Sequence, residues 1–339
     1  MIPSWNMWAK TCVAVFGAAT ILAFGCCTKK STAETATVDL NLEMKTPLRF
    51  VVYGDTRFHD PNDTEAANPT ARVDLVHAIA ETNPAFICIT GDIVYNGNDA
   101  DDWKIWDTET SIWREKKLGV YPALGNHDLH GNPVLALRNY FQRFPDLKGS
   151  RYYSLRAGNA LFLILDSLQP EATGPQGEWL HARLDHVPAG VDFVFLIFHH
   201  PPYTSSSEIN KQVRGGGHSA RPQEQDLAKM LEERQAHSGY RMVVFNGHVH
   251  NYEHHAHGGV DYFVSGGGAA HPYMVDRAPD DLFKNNVVNF HFLLVNVDHQ
   301  QVDIVMNRLD LSTGKAVWAQ ADSVHLAAAS KTEAHAAGR

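Results

Sequence analysis

Cysteine is scarce in this chain of 339 residues. Three of its four cysteines, Cys12, Cys26 and Cys27, lie in or beside the first uncharged stretch, and the fourth, Cys88, stands alone in an apolar run. That usage excludes a disulfide framework, even in an oxidising compartment, and reads Cys88 as a small buried hydrophobe. An excess of positive charge is also missing. The formal net charge is -9, from 29 Lys and Arg against 38 Asp and Glu. Such a surface gives no electrostatic footprint for nucleic acid. Long apolar runs are absent too. Thr11 to Gly25 carries no charge and is followed by Lys29 and Lys30, but it falls short of a membrane span and suits the apolar core of an export signal. No internal repeat interrupts the rest. What remains, 44% hydrophobic and 20% charged residues, is an ordinary globular balance with ample core.

The chain then alternates apolar runs with helical patterns. Ser31 to Met44 is small and polar and reads as linker. Leu48 to Tyr53 is the first expected strand. Asn68-Pro69 opens a helix with Val73, Val76, Ile79 and Ala80 as its apolar stripe. Phe86 to Ile89 and Val120 to Leu124 are further strands, separated by a helical stretch whose Trp103, Trp106 and Trp113 fit a core face. Val134 to Phe144 and Glu178 to Leu184 read as helices, and Tyr152 to Leu155 with Ala160 to Leu165 as a hairpin around Gly158-Asn159. Phe193 to Phe198 and Met242 to Phe245 are wholly apolar strands. Between them lies a long glycine-rich loop, Gly215-Gly216-Gly217-His218, and a helix opened by Pro222. Tyr262 to Val264, the hairpin of Phe290 to Val297 and Val302 to Arg308, and Trp318 to Leu326 follow. The economical architecture is one α/β domain of two packed sheets with helices outside. The expected divisions are an export signal over 1–26, a linker over 27–46, one domain over 47–326 and a disordered tail over 327–339.

The ends of the apolar strands share one chemistry. Asp55 follows the first, Asp92 and Tyr95 the second, Asn126 and His127 the third, His199 the fourth, and His248 and His250 the fifth. In α/β sheets the carboxyl edge is where sites form. Oxygen and imidazole donors without thiolate suit iron, manganese or zinc in an open site. Seven such donors exceed one tetrahedral ion and fit two ions sharing a carboxylate, an arrangement able to clamp a phosphate. Taken singly, each residue has a plainer use: Asp55 or Asp92 capping a helix, Asn126 in a turn, His199 as a core histidine.

The stretches GDTR, GDIVY, GNHD, HHPPY and GHVHNYE resemble the calcineurin-like metallophosphoesterases, and within them most closely the purple acid phosphatases, over about Arg49 to Gly268. The resemblance implies a four-layer αββα sandwich of two mixed β-sheets flanked by helices. It implies two metal ions, Fe(III) plus a divalent Fe, Zn or Mn. Asp55, Tyr95 and His250 would hold the first, Asn126, His199 and His248 the second, and Asp92 would bridge them. His127 would be the catalytic group near the leaving oxygen rather than a ligand. Most of the superfamily has a histidine ligand where Arg57 stands; the purple enzymes usually have Gly there, Glu in place of Asp128, and a tyrosine three residues after the bridging Asp, as Tyr95 is here. Arg57 and His218 are candidate substrate-binding residues, with a surface ion pair and an exposed loop histidine as their plainer readings. His254, His255 and His257 are expected to be exposed and not ligands.

The function these motifs imply is hydrolysis of a phosphate monoester by a metal-bound hydroxide. The alternatives are a phosphodiesterase or nucleotidase on the same centre, and a metal-dependent surface binding protein without turnover. Ala23-Phe24-Gly25-Cys26 resembles the lipobox of bacterial lipoproteins, which implies acylation of Cys26 and anchoring in the lipid of the cell envelope. A cleaved signal, giving a periplasmic or secreted protein, and an uncleaved anchor are its alternatives.

Overall fold

The computed structural model describes residues 37–206 and 218–329. The export signal, Cys26, the Gly215 to Gly217 stretch and the last ten residues lie outside them. The described residues belong to one unit, Ala36–Arg339. Among them no helix is long and apolar enough to cross a membrane.

Two mixed sheets are stacked on each other. In chain order the strands are β1 (Val38–Leu42), β2 (Leu48–Tyr53), β3 (Phe86–Ile89), β4 (Gly119–Pro122), β5 (Tyr153–Ala157), β6 (Ala160–Ile164), β7 (Phe193–Ile197), β8 (Arg241–Asn246), β9 (Tyr252–His257), β10 (Val260–Ser265), β11 (Phe290–Val297), β12 (Gln301–Asp310) and β13 (Val317–Ala327). One sheet has the order β1-β5-β6-β7-β8-β10-β9, the other β13-β12-β11-β2-β3-β4. β2, β3 and β4 are parallel neighbours in one, and β6, β7 and β8 in the other. Parallel strands need crossovers, which the helices provide. These are α1 (Pro69–Glu81), α2 (Ala100–Glu109), α3 (Ser111–Glu115), α4 (Pro133–Arg143), α5 (Gly174–Asp185) and α6 (Pro222–Gln235).

The inner faces meet through aromatic rings. Phe50 on β2 meets Phe162 on β6 and Phe195 on β7 edge-on, at 5.0 and 5.2 Å between centroids. All three are fully buried, each contributing about 1.5–3 kcal/mol by removal from water. Outside, Trp179, Leu180 and Leu184 of α5 and Leu227, Ala228 and Leu231 of α6 cover Leu161, Leu163, Val194 and Val244. The αββα sandwich expected from the sequence is the fold observed.

Three local expectations change. The stretch taken as linker contains β1, which pairs in parallel with β5 at a sheet edge; the alternation Val38-Asp39-Leu40-Asn41-Leu42 is a short period-two strand. On α1 the inward residues are Ala71, Arg72, Leu75, Val76, Ile79 and Ala80, while Val73 faces solvent. His254 and His255 are buried on β9, a strand whose polar composition hid it. Asn68 caps α1 as expected, accepting from the Ala71 N–H at 3.0 Å, and the three tryptophans are core residues.

Candidate metal centre

The carboxyl ends of β2, β3 and β4 in one sheet and of β7 and β8 in the other converge on one place. The loops there are tied to each other by the backbone. Asp55 N–H donates to Gly91 O and Arg57 N–H to Asp92 O, each at 3.0 Å, and the Gly247 N–H donates to His199 O at 2.9 Å. His248 N–H crosses between sheets to Asp55 Oδ2 at 2.8 Å. The approach is close enough that a Cβ at Gly247 would lie 2.5 Å from Asp55 Oδ2, so only glycine fits there. Asp55, Arg57, Asp92 and His248 all have positive φ, between 44° and 70°. Left-handed backbone costs a non-glycine residue roughly 1–2 kcal/mol, and such strain concentrates where side chains must be aimed.

The hydrogen bonds fix which imidazole nitrogens carry protons. His199 Nδ1 faces the Thr90 carbonyl at 2.9 Å, so it donates and Nε2 keeps its lone pair. That lone pair faces Asn126 Oδ1 at 3.1 Å, His248 Nδ1 at 3.2 Å and Asp92 Oδ1 at 3.4 Å. His250 Nδ1 donates likewise to the His271 carbonyl at 2.8 Å. Its Nε2 lies 3.6 Å from Asp55 Oδ1, and both of these buried atoms lack a hydrogen-bond partner. At the second place the two facing atoms are both acceptors, and at the first the His199 Nε2 lone pair faces two oxygens with only His248 Nδ1 able to donate to it. Atoms each 2.0–2.2 Å from a common ion stand about 2.8–3.6 Å apart for angles from octahedral to tetrahedral, and the spacings here run from 3.1 to 3.6 Å. The residues fit cations.

Electrostatics agree. Burial, followed by neighbouring charges, holds His248 and His250 well below the usual imidazole range, and burial lowers His199 as well. Neutral imidazoles are what a metal ligand requires. Burial and then the charge of Asp92 push Asp55 up. Asp92 is also penalised by burial, but His199, His127 and Arg57 around it hold it below the usual carboxylate range. The Arg57 guanidinium stands 3.3 Å from Asp92 Oδ2.

His127 is turned differently from the ligands. Its Nδ1 donates to the Tyr95 carbonyl at 2.7 Å, and burial lowers it to about 4. It lines a cleft of about 490 Å³ with Arg57, Glu65, His218, His250, His271 and Tyr273. His218 donates or accepts at the Tyr273 hydroxyl, 2.6 Å away, and its ring lies 4.3 Å from that of His248. The structure therefore brings together Asp55, Arg57, Asp92, Asn126, His127, His199, His218, His248 and His250. The Tyr95 ring packs on His127 at 5.3 Å and His59 at 4.9 Å. Its hydroxyl makes no hydrogen bond among the described residues.

Sequence reasoning missed two supports. Asp128 is fully buried and accepts from Ile93 N–H at 2.9 Å and Gly125 N–H at 2.8 Å, bracing the loops after β3 and β4. Burial, then Asp92, raises it to about 8. His200 packs on His248 with centroids 4.3 Å apart and pairs with Ser167 Oγ at 2.8 Å. Their adjacency to Asn126-His127 and to His199 was the available signal.

A sandwich of two mixed sheets with carboxylate, amide and imidazole groups gathered at both carboxyl edges defines an α/β protein with a candidate metal centre. The family model described as calcineurin-like phosphoesterase matches residues 48–252, more than half of the chain, and the chain belongs to that family. Purple acid phosphatase 15 of Arabidopsis thaliana is 26% identical over 210 residues, 53% of this chain and 37% of its own length. The purple acid phosphatase PPD1 from yellow lupin (Lupinus luteus) seeds superposes with a TM-score of 0.64 at 17% identity, over 84% of this chain and 54% of the lupin chain. GAP50, described as the anchor in the inner membrane complex of Plasmodium, gives 0.60 at 15% identity over 84% and 90%. A dimetal phosphatase from Danio rerio gives 0.55 at 13% identity over 84% and 100%. The chain spans little more than a third of the Arabidopsis protein and about half of the lupin one. The structural likenesses establish the fold.

Proposed function

We propose that this chain is a phosphomonoesterase of purple acid phosphatase type with two metal ions. The observation that carries the reading is the convergence of metal-ligating atoms: the His199 Nε2 lone pair with Asn126 Oδ1, His248 Nδ1 and Asp92 Oδ1, and the His250 Nε2 lone pair with Asp55 Oδ1. Asn126, His199 and His248 would hold one ion, Asp55, His250 and Tyr95 the other, and Asp92 would reach both. The ions would supply positive charge for the phosphate oxygens and lower the pKa of water.

The remaining residues act on the substrate. Arg57 offers a fixed guanidinium on the cleft side of Asp92, suited to a phosphate oxygen. With Nδ1 committed to the Tyr95 carbonyl, His127 would assist the leaving oxygen through Nε2, which carries a proton to give only when the ring is charged, as in acid near its lowered pKa of about 4. His218, held by Tyr273, lines the same cleft and would contact the ester's organic group or phosphate. Export, with Cys26 acylated and the protein anchored to the bacterial envelope, belongs to the same proposal and rests on the first 26 residues alone.

The test is hydrolysis of a matched pair, an aryl phosphate monoester and the corresponding diester, by protein loaded with iron and with zinc. Preference for the monoester is expected. Preference for the diester would move the substrate class while keeping the centre. A second reading, binding without turnover, takes its support from the likeness to GAP50, a protein described as an anchor. Absence of hydrolysis in metal-replete folded protein would select it.

A further inference from the structure

A second group of histidines lies away from the cleft, on β9, the last strand of the seven-stranded sheet. Period two places Glu253, His255 and His257 on one face of that strand. Glu253 is fully buried and acts as an acceptor throughout. Its Oε1 receives Thr204 Oγ1 at 2.9 Å, and its Oε2 receives the Ser205 N–H at 2.6 Å and His255 Nε2 at 3.0 Å. His255 therefore carries its proton on Nε2. Its other nitrogen, Nδ1, is buried without a hydrogen-bond partner, in a residue only 1% exposed.

That nitrogen is aimed at a carboxylate shared with a second histidine. Asp280 Oδ2 lies 3.4 Å from His255 Nδ1 and accepts a hydrogen bond from His257 Nε2 at 3.0 Å, a proton that a bound cation would displace. The three donor atoms all lie within 4.8 Å of one another. Ligands 2.0–2.2 Å from a tetrahedral ion are separated by about 3.3–3.6 Å. Among the described residues no Lys or Arg pairs with Asp280. Arg277 is engaged by Asp281, and Lys284 by the carbonyls of Ala278 and Pro279. The Asp280 side chain is 45% exposed and that of His257 27%, so an ion can enter and a water can complete the fourth position.

We propose that His255 Nδ1, His257 Nε2 and Asp280 Oδ2 form a separate cation site of the zinc class, distinct from the cleft. Imidazole with one carboxylate suits zinc. The Glu253 carboxylate behind His255 supplies the outer hydrogen bond that fixes the tautomer and ring of a metal-bound histidine. The site joins the edge strand to the irregular segment 266–289, which also carries His271 and Tyr273 into the cleft. Its role is to fasten that segment to the sheet.

The test is zinc stoichiometry in the full chain. Wild type, His257→Ala and Asp280→Asn, each verified as folded by circular dichroism, are equilibrated with Zn²⁺ and their bound zinc measured. Each variant is expected to hold one equivalent less than wild type. The same loss is expected when His257→Ala is placed in an Asp92→Asn background, where the cleft is already impaired, so failure here is separable from failure of the phosphoesterase reading. Added zinc should also raise the Tm of the Asp92→Asn protein but not of the double variant. Equal zinc content in wild type and both single variants would overturn the proposal.

Discussion

Asp128 offers the sharpest check on how the centre is held. Its carboxylate has no exposure and accepts from Gly125 N–H at 2.8 Å, Ile93 N–H at 2.9 Å and, weakly, Val94 N–H at 3.4 Å. Asp128→Ala removes both acceptor oxygens and leaves at least two buried donors without partners. An orphaned buried donor costs about 1–3 kcal/mol, so the two strong bonds amount to about 2–6 kcal/mol. An opposing effect must be subtracted. The carboxyl is itself strained by burial, which raises it to about 8, and its removal relieves that penalty. The expected net loss is therefore in the lower half of that range, about 2–4 kcal/mol. Asp128→Asn keeps one accepting oxygen but turns an amide donor towards a backbone donor, and should fall between wild type and alanine. Because Ile93 follows Asp92 and Gly125 precedes Asn126, the loops carrying ligands should loosen with it. The assays are urea unfolding at fixed pH, read as a shift in midpoint at constant slope, and metal retained after dialysis. An alanine variant with unchanged midpoint and full metal retention would refute the brace.

Four further outcomes are expected. Asp92→Asn should lower retention of both ions, whereas His127→Ala should keep metal content and reduce turnover by about 10²–10⁴; metal loss in the latter would remove His127 from its assigned role. Iron-loaded protein should be coloured through a Tyr95 phenolate, and Tyr95→Phe should bleach it and weaken iron retention; an identical visible spectrum would exclude Tyr95 as ligand. His291 is buried without exposure, and burial lowers it to about 4 from its ordinary 6.5. Its folded pKa is depressed, so its contribution is full above pH 6.5 and is lost as pH falls towards about 4, worth roughly 3 kcal/mol in all; His291→Gln should flatten that part of a stability-against-pH curve, and an unchanged curve would assign the acid sensitivity elsewhere. Cys26→Ser should shift the protein from membrane to soluble fractions or leave the precursor uncleaved, and unchanged membrane association with normal processing would count against acylation there.

The strands that carry the centre were legible because their run lengths and endings are local. Phe86 to Ile89, Phe193 to Phe198 and Met242 to Phe245 are continuous apolar runs, as strands buried on both faces must be, and Leu48 to Tyr53 is interrupted only by the exposed Arg49. They stop at Gly54, Thr90, His199 and Asn246, small or polar residues that end the apolar run. β9 was not legible: Tyr-Glu-His-His-Ala-His has neither an apolar run nor an alternation of ordinary hydrophobes, and it becomes a strand because Val260 to Ser265 pairs along its whole length. For the same reason His254 and His255 read as surface residues and are buried. Their partners, Asp261 and Glu253, are found only once the strand and its neighbour are in register.

The sequence by itself determined which residue types stand at which strand ends, and so the donor set of Asp, Asn and His without thiolate. Spacing along a chain carries no proton positions. Only the tertiary structure decided that the Thr90 and His271 carbonyls take the Nδ1 protons of His199 and His250, which leaves their Nε2 lone pairs facing other acceptors. Those carbonyls lie 109 and 21 residues away along the chain. The same holds for Arg57. Nothing in GDTR distinguishes a surface arginine from one 3.3 Å from Asp92. The pairing of Arg57 N–H and Thr56 N–H with the Asp92 carbonyl, beyond the ends of β2 and β3, puts the guanidinium there.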